Sequence, residues 1–314
     1  MLLGCVAYSL HKKKTQNKKK PRMITRIVSD NFFLENELAV YSIINNIPDV
    51  EHHFYIFSEK EKLGYHESNN ELVWLQSSDR FVLHYEPTYF YSLDETFLFL
   101  EAVSPVEYLH FIMNIYSHLL DSIDLLNQHD IIHFVSEEVI GINESREPII
   151  ISFAKSLYII PSNVRWEYIQ GFLPYVDESW PSELRILSHL QDRQNSLSKM
   201  DLETIVESLL LSEEDEKKAF TFFCQYINLP IQKVFQQIFQ YSNSWGQYSL
   251  HKLILKRLMK MDQNNVFVKG FKELLLEGIH IQPKLRPTIQ ESKYKFEQLC
   301  YETDTSVFRE ITVS

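Results

Sequence analysis

Apolar residues return every three or four positions after Ser104. Leu109, Ile112, Met113, Tyr116, Leu119, Leu120, Ile123 and Leu126 share one stripe, the pattern of a long amphipathic helix. Residues 31–47 carry a shorter version, with Phe33, Leu34, Leu38, Val40, Tyr41, Ile44 and Ile47 near helical spacing, Asp30 or Asn31 as a cap and Pro48 as a stop. Between these two segments the period changes. Over 52–102 short aromatic and β-branched runs (HFYIF, ELVWL, RFVLHY, YFYSL, TFLFLEAV) alternate with polar turns, which predicts an antiparallel sheet. MITRIV, just after the basic stretch HKKKTQNKKKPR at 11–22, adds another strand. From 182 to 300 helical patterns dominate, broken at Pro230, at SNSWGQ and at IQPKLRPT. Ser212 with the acidic run behind it reads as a capped helix start. The chain is therefore expected to be α+β. A sheet-bearing segment with one helix occupies 1–103, and a mainly helical segment occupies 104–314.

Composition sharpens the picture in three ways. With 45% hydrophobic and 13% aromatic residues in 314 positions, the chain can bury a substantial core. A net charge of −11 argues against general binding to nucleic acid or to an anionic membrane, so any basic site must be local. The lysine-rich loop at 12–22 is such a place for a polyanion contact, although a solvated connection between two strands explains it more simply. Cys5, Cys224 and Cys300 lie far apart, which offers neither a disulfide framework nor a C-x-x-C metal knuckle and points to a reducing compartment. No run of 18 apolar residues is present, and the apolar start precedes the lysines, the reverse of a secretory signal. A soluble intracellular protein is the expectation.

Several short motifs, taken in order, resemble those of protein kinases. Gly4-Cys5-Val6 resembles the tail of a glycine-rich loop, Arg26 stands where the phosphate-pairing lysine would be, and Glu37 matches its glutamate partner. Ile132-His133-Phe134-Val135 resembles the start of the catalytic loop, and Ser152-Phe153-Ala154 resembles Asp-Phe-Gly. Trp180-Pro181-Ser182-Glu183 is similar to the Ala-Pro-Glu region. Trp245-Gly246-Gln247-Tyr248-Ser249-Leu250 is similar to the Trp-Asp-x-Tyr-Ser-Leu opening of a buried central helix, and Leu285-Arg286-Pro287-Thr288 to the closing Arg-Pro-Thr. The resemblance runs from residue 4 to about residue 300, and its aromatic-, Asn- and Ile-rich wording looks like kinase homologues of large DNA viruses. It implies two lobes, a small antiparallel β lobe and a larger helical one.

The same positions imply that the reaction is lost. Phosphoryl transfer needs a phosphate cradle, a lysine, metal ligands and an aspartate beside the attacking hydroxyl. Val135 stands at the aspartate position, and its side chain accepts no proton. Ser152 replaces the metal-binding aspartate, and a neutral hydroxyl is a poor ligand for magnesium. The loop from Ser136 to Ile140 has no asparagine for a second ion, although Glu137 or Glu138 would offer carboxylates. Only three residues precede Gly4, short of a full G-x-G-x-x-G cradle, so Gly4, Val6, Arg26 and Glu37 are expected to be vestigial. Gly246 replaces an aspartate that would anchor the catalytic loop, while Glu183 and Arg286 keep a structural ion pair. His133 reads as a packed structural histidine, Phe153 and Ala154 as remnants, and no metal set is expected. The expectation is an inactive homologue, a protein-binding scaffold, regulator or virion component, in host cytoplasm or a viral factory, with weak or absent ATP and magnesium binding. The alternative is a divergent Ser/Thr kinase with relocated carboxylates. Of the aromatics at 159–179, Trp166, Tyr168, Phe172 and Tyr175 either pack on the fold or form a docking patch.

Overall fold

The protein is seen here in a computed structural model, which describes residues 24–29, 32–62, 80–85, 90–159, 169–193, 196–209, 211–309 and 312. Gly4, Val6, the basic stretch 11–22, ELVWL at 71–75, Trp166 and Tyr168 lie outside the described residues, as does the expected pairing of Arg26 with Glu37.

Strands β1 (Ile24–Ser29), β2 (Phe57–Lys62) and β3 (Arg80–Tyr85) form an antiparallel sheet in the order β1-β3-β2, with Arg26 opposite Leu83. Helix α1 (Phe32–Ile44) follows β1 and buries Val40, Tyr41 and Ile44, as its spacing predicts. It stops short of Pro48, and its last turns close through Asn45 and Asn46 amides on the carbonyls of Tyr41 and Ile43.

The sheet expected across 52–102 ends early. After the two-residue strand β4 (Tyr91–Ser92), TFLFLEAV belongs to helix α2 (Leu93–Val103). That run is apolar enough to satisfy either period, and its flank decides. Ser92 accepts a hydrogen bond from the Glu95 amide, and Asp94 and Glu95 place negative charge in the first turn. Leu93, Phe97 and Leu100 then fall on one buried face, with Leu98, Phe99 and Val103 left exposed.

Ser104 caps α3 (Pro105–Asn127) through the Glu107 amide at 3.2 Å, with Pro105 at the first helical position where its missing N–H costs nothing. Seven of the eight apolar positions of the predicted stripe are buried, and Met113 is partly buried. Four short strands follow: β5 (Ile131–His133), β6 (Ile140–Ile142), β7 (Pro148–Ile150) and β8 (Ser156–Tyr158). β4, β6 and β7 form one antiparallel sheet, and β5 pairs with β8. The rest of the described chain is helical: α4 (Ser182–Arg193), α5 (Lys199–Glu207), α6 (Glu213–Phe223), α7 (Ile231–Phe239), α8 (Trp245–Leu258), α9 (Val266–Gly278), α10 (Ile289–Glu302) and α11 (Thr305–Arg309). Ser212 caps α6 as read from its acidic run.

Two main apolar cores form among the described residues. One gathers α1, α2, α3, α9 and α10, and the other gathers α4 to α7. β5 and the residues after it stand between them. Ile131 and Val135 enter the first core while Ile132 and Phe134 enter the second, as the two-residue alternation of an extended chain requires. α8 joins both, with Trp245 in one and Leu250, Ile254 and Leu258 in the other. Among the described residues no helix is long and apolar enough to cross a membrane.

Candidate functional site

β5 delivers His133, Phe134 and Val135 to the centre of the fold. His133 is fully buried, and its Nδ1 lies 2.7 Å from Ser156 Oγ on β8. Burial, helped by the positive charge of Lys155, pushes its pKa down to about 3, so the ring is neutral. Its ring centroid lies 5.8 Å from that of Phe153, and its Nε2 is buried with no hydrogen-bond partner among the described residues.

Val135 is also fully buried, and its backbone N–H donates to Ser249 Oγ at 2.8 Å. The Ser249 hydroxyl in turn donates to the Gly246 carbonyl at 2.8 Å. A Cβ added to Gly246 would stand 2.8 Å from the His133 carbonyl oxygen and 3.0 Å from Ile123 Cγ2. No aspartate fits there without movement of the loop. The loop is held through Ser249, one helical turn after Gly246, and Gly246 lets the loop and α8 come close enough for that bond.

Ser152, Phe153 and Ala154 follow β7. The Glu37 carboxylate of α1 accepts from Ser152 Oγ at 3.2 Å and from the Phe153 amide at 3.0 Å, and the Ala154 amide reaches Ser152 Oγ at 3.4 Å. Glu37 therefore fixes this turn from α1. Phe153 is locked edge-on between Tyr41 and Phe54, with centroids at 5.2 and 5.5 Å. Asn36, next to Glu37, donates to the Ser156 carbonyl and ties α1 to β8. Among the described residues no group of three His, Cys, Asp or Glu side chains is placed to hold a metal ion.

Further contacts hold the first turn of α4 and the residues before it. Glu183 and Arg286, 103 residues apart, form a bidentate pair at 2.7 and 2.8 Å with both side chains almost wholly out of solvent. Trp245 Nε1 donates to the same carboxylate at 3.1 Å, and the Arg286 guanidinium lies 4.6 Å over the Tyr248 ring. Phe134 stacks on Trp180 at 3.7 Å with the planes 7° apart, so a ring contact joins the loop to this segment. Phe172 is buried with the second core, and Tyr175 is exposed.

Beside this frame lies an open cleft of about 690 Å³. Its lining comes from Val135, Ser136, Glu137 and Glu138, from Asp177, Glu178 and Ser179, from Lys252, Leu253, Leu255 and Lys256 of α8, and from Met259 just after it. Glu137 accepts from Arg257 at 2.6 Å and from Lys256 at 3.3 Å. Arg257 is itself buried, bonded to Asp94 at 2.7 Å and stacked 4.6 Å over Phe97. Glu138 pairs with Lys155, which also lies 3.8 Å from Asp177. The two carboxylates offered by the sequence as replacement ligands are thus engaged by cations.

The structure brings His133, Val135, Phe153 and Gly246 together, with Glu37 closing over Ser152. It places Glu183, Trp245 and Arg286 in a second cluster. Ser249, Lys155, Lys252 and Arg257 were not singled out by sequence reasoning. Ser249 stood inside the WGQYSL motif, and a serine one turn past a helical glycine was its available signal. A scan of protein-family models and a search of curated proteins both return no match for the chain.

Proposed function

We propose that this protein is a catalytically inactive protein kinase homologue with two lobes, of the kind encoded by large DNA viruses, and that it acts by binding other proteins as a scaffold, regulator or virion component. The observation that carries the reading is Val135. It occupies the position matched to the catalytic aspartate, is fully buried and holds its place through a backbone bond to Ser249. An apolar residue there has no way to orient or deprotonate a hydroxyl. Support also comes from the contrast between lost chemistry and kept architecture. Ser152 bonds to Glu37, while Glu183 and Arg286 retain a fully formed buried pair.

The rival reading, a divergent Ser/Thr kinase, needs Glu137 or Glu138 to carry a metal. Both are engaged in ion pairs, and a metal would have to displace Arg257 or Lys155. A thermal-shift titration separates the two readings, because a ligand that binds the folded state raises its melting temperature by mass action. ATP with Mg²⁺ is expected to raise the melting temperature no more than ATP with EDTA. A saturable rise that requires the metal supports the enzyme instead.

A further inference from the structure

The cleft holds a cation that the fold does not use. Lys252 faces it from α8 and makes no hydrogen bond or ion pair among the described residues. Burial lowers its pKa, the negative charge of Glu178, which lines the same cleft, opposes this, and Arg185 adds to the lowering. An ammonium partly stripped of water and left without a hydrogen-bonded partner is a destabilised charge, and an incoming anion relieves it.

Three of the four carboxylates that line the cleft are committed, and the fourth, Glu178, acts on Lys252 through its charge. Glu137 belongs to Arg257 and Lys256, Glu138 to Lys155, and Asp177 to Lys155 and the Ser179 amide and hydroxyl. Lys256 stands one helical turn after Lys252, on the same face of α8. Its side chain is 66% exposed and its contact with Glu137 is long, at 3.3 Å, while Arg257 holds that carboxylate at 2.6 Å. Lys256 can therefore turn to a ligand without stranding Glu137. Ser136, which also lines the cleft, has a buried hydroxyl with no hydrogen-bond partner among the described residues. Leu253, Leu255 and Met259 supply apolar surface beside these donors.

We propose that the cleft receives a phosphoserine or phosphothreonine on a segment of a partner protein, with Lys252 and Lys256 gripping the phosphate. Two ammonium groups a turn apart present more donors, and more charge, than one carboxylate can match. A dianion with three strong acceptor oxygens matches them. The proposal deepens the non-catalytic reading above and rests on it.

The test uses the full-length protein and fluorescein-labelled peptide pools with randomised flanks and a central phosphoserine, glutamate or serine, followed by fluorescence anisotropy. Saturable binding of the phosphoserine pool is expected. It should weaken about ten-fold or more in Lys252→Gln and be retained in Lys252→Arg, with no fall in melting temperature in either. Equal binding of the three pools, no binding, or an unaffected Lys252→Gln variant overturns the proposal. Those results leave the non-catalytic reading standing, whereas transfer of label from ATP to any pool overturns that reading whatever Lys252 does.

Discussion

Replacing Glu183 with alanine is expected to destabilise the protein by about 3–5 kcal/mol, the usual penalty for removing one partner of a buried ion pair. The variant would leave the Arg286 guanidinium, whose side chain is 1% exposed, without its bidentate acceptor. Its remaining contacts, the His280 carbonyl, Ser244 Oγ and the Tyr248 ring, do not neutralise its charge. Trp245 would lose its acceptor as well. The reverse change, Arg286→Met, would strand a fully buried carboxylate with only the Trp245 N–H. The double variant Glu183→Leu/Arg286→Met leaves no orphaned charge, and should lose clearly less than the two single losses combined. Urea denaturation followed by circular dichroism measures all three. A Glu183→Ala loss below about 1 kcal/mol, the range of exposed pairs, would contradict the buried geometry.

Stability should also fall steeply as pH drops below neutrality, well before the carboxylates titrate. His133 and His251 are both fully buried and neutral, with pKa values pushed down to about 3 and about 4 by desolvation. His251 has its tautomer fixed by its partners. Nδ1–H donates to the Leu275 carbonyl at 3.3 Å, and Nε2 accepts from Tyr116 at 3.1 Å. Gly278 makes room for this ring, because a Cβ there would stand 1.8 Å from His251 Nδ1. In the unfolded chain each histidine protonates near 6.5, so below that pH the unfolded state binds protons that the folded state refuses. The stabilisation is complete above 6.5 and is lost as pH falls through about 4 for His251 and about 3 for His133. At about pH 5 the loss is about 2 kcal/mol per histidine, about 4 kcal/mol together. His53 and His118, packed with ring centroids 5.0 Å apart, are shifted in the same direction by burial and add to the trend. Urea midpoints measured from pH 7.5 down to pH 5 should show it. A flat profile across that range would mean that these rings are not held neutral.

How much of this was legible depended on whether local pattern or distant packing decided each element. The stripe of α3 was legible because burial repeats with the helical period and Ser104 caps it beside Pro105. The run at 96–103 was misread because its apolar residues satisfy both periods, and Ser92, outside the run, settled the matter. Glu183 and Arg286 could be paired only through a resemblance, since nothing local links residues 103 positions apart. Gly246 was noticed as an absence. Its close approach to the His133 carbonyl, and the bond from the Val135 amide to Ser249, depend on how α8 crosses β5, and no window of sequence contains that crossing. Lys252 escaped notice for the same reason: on α8 it is one basic residue among several, and the cleft around it exists only once the 135–138 and 177–179 loops are in place.

The reading proposed for this protein is that a kinase-like frame serves binding and not phosphoryl transfer. The most direct measurement incubates the purified protein with γ-labelled ATP and Mg²⁺ or Mn²⁺, with generic protein substrates and with itself as acceptor. No incorporation above a no-protein control is expected. Robust labelling that disappears in Glu137→Gln or Glu138→Gln would contradict the account, because it would show that the carboxylates held by Arg257 and Lys155 are released to carry out the chemistry that Val135 and Ser152 lack.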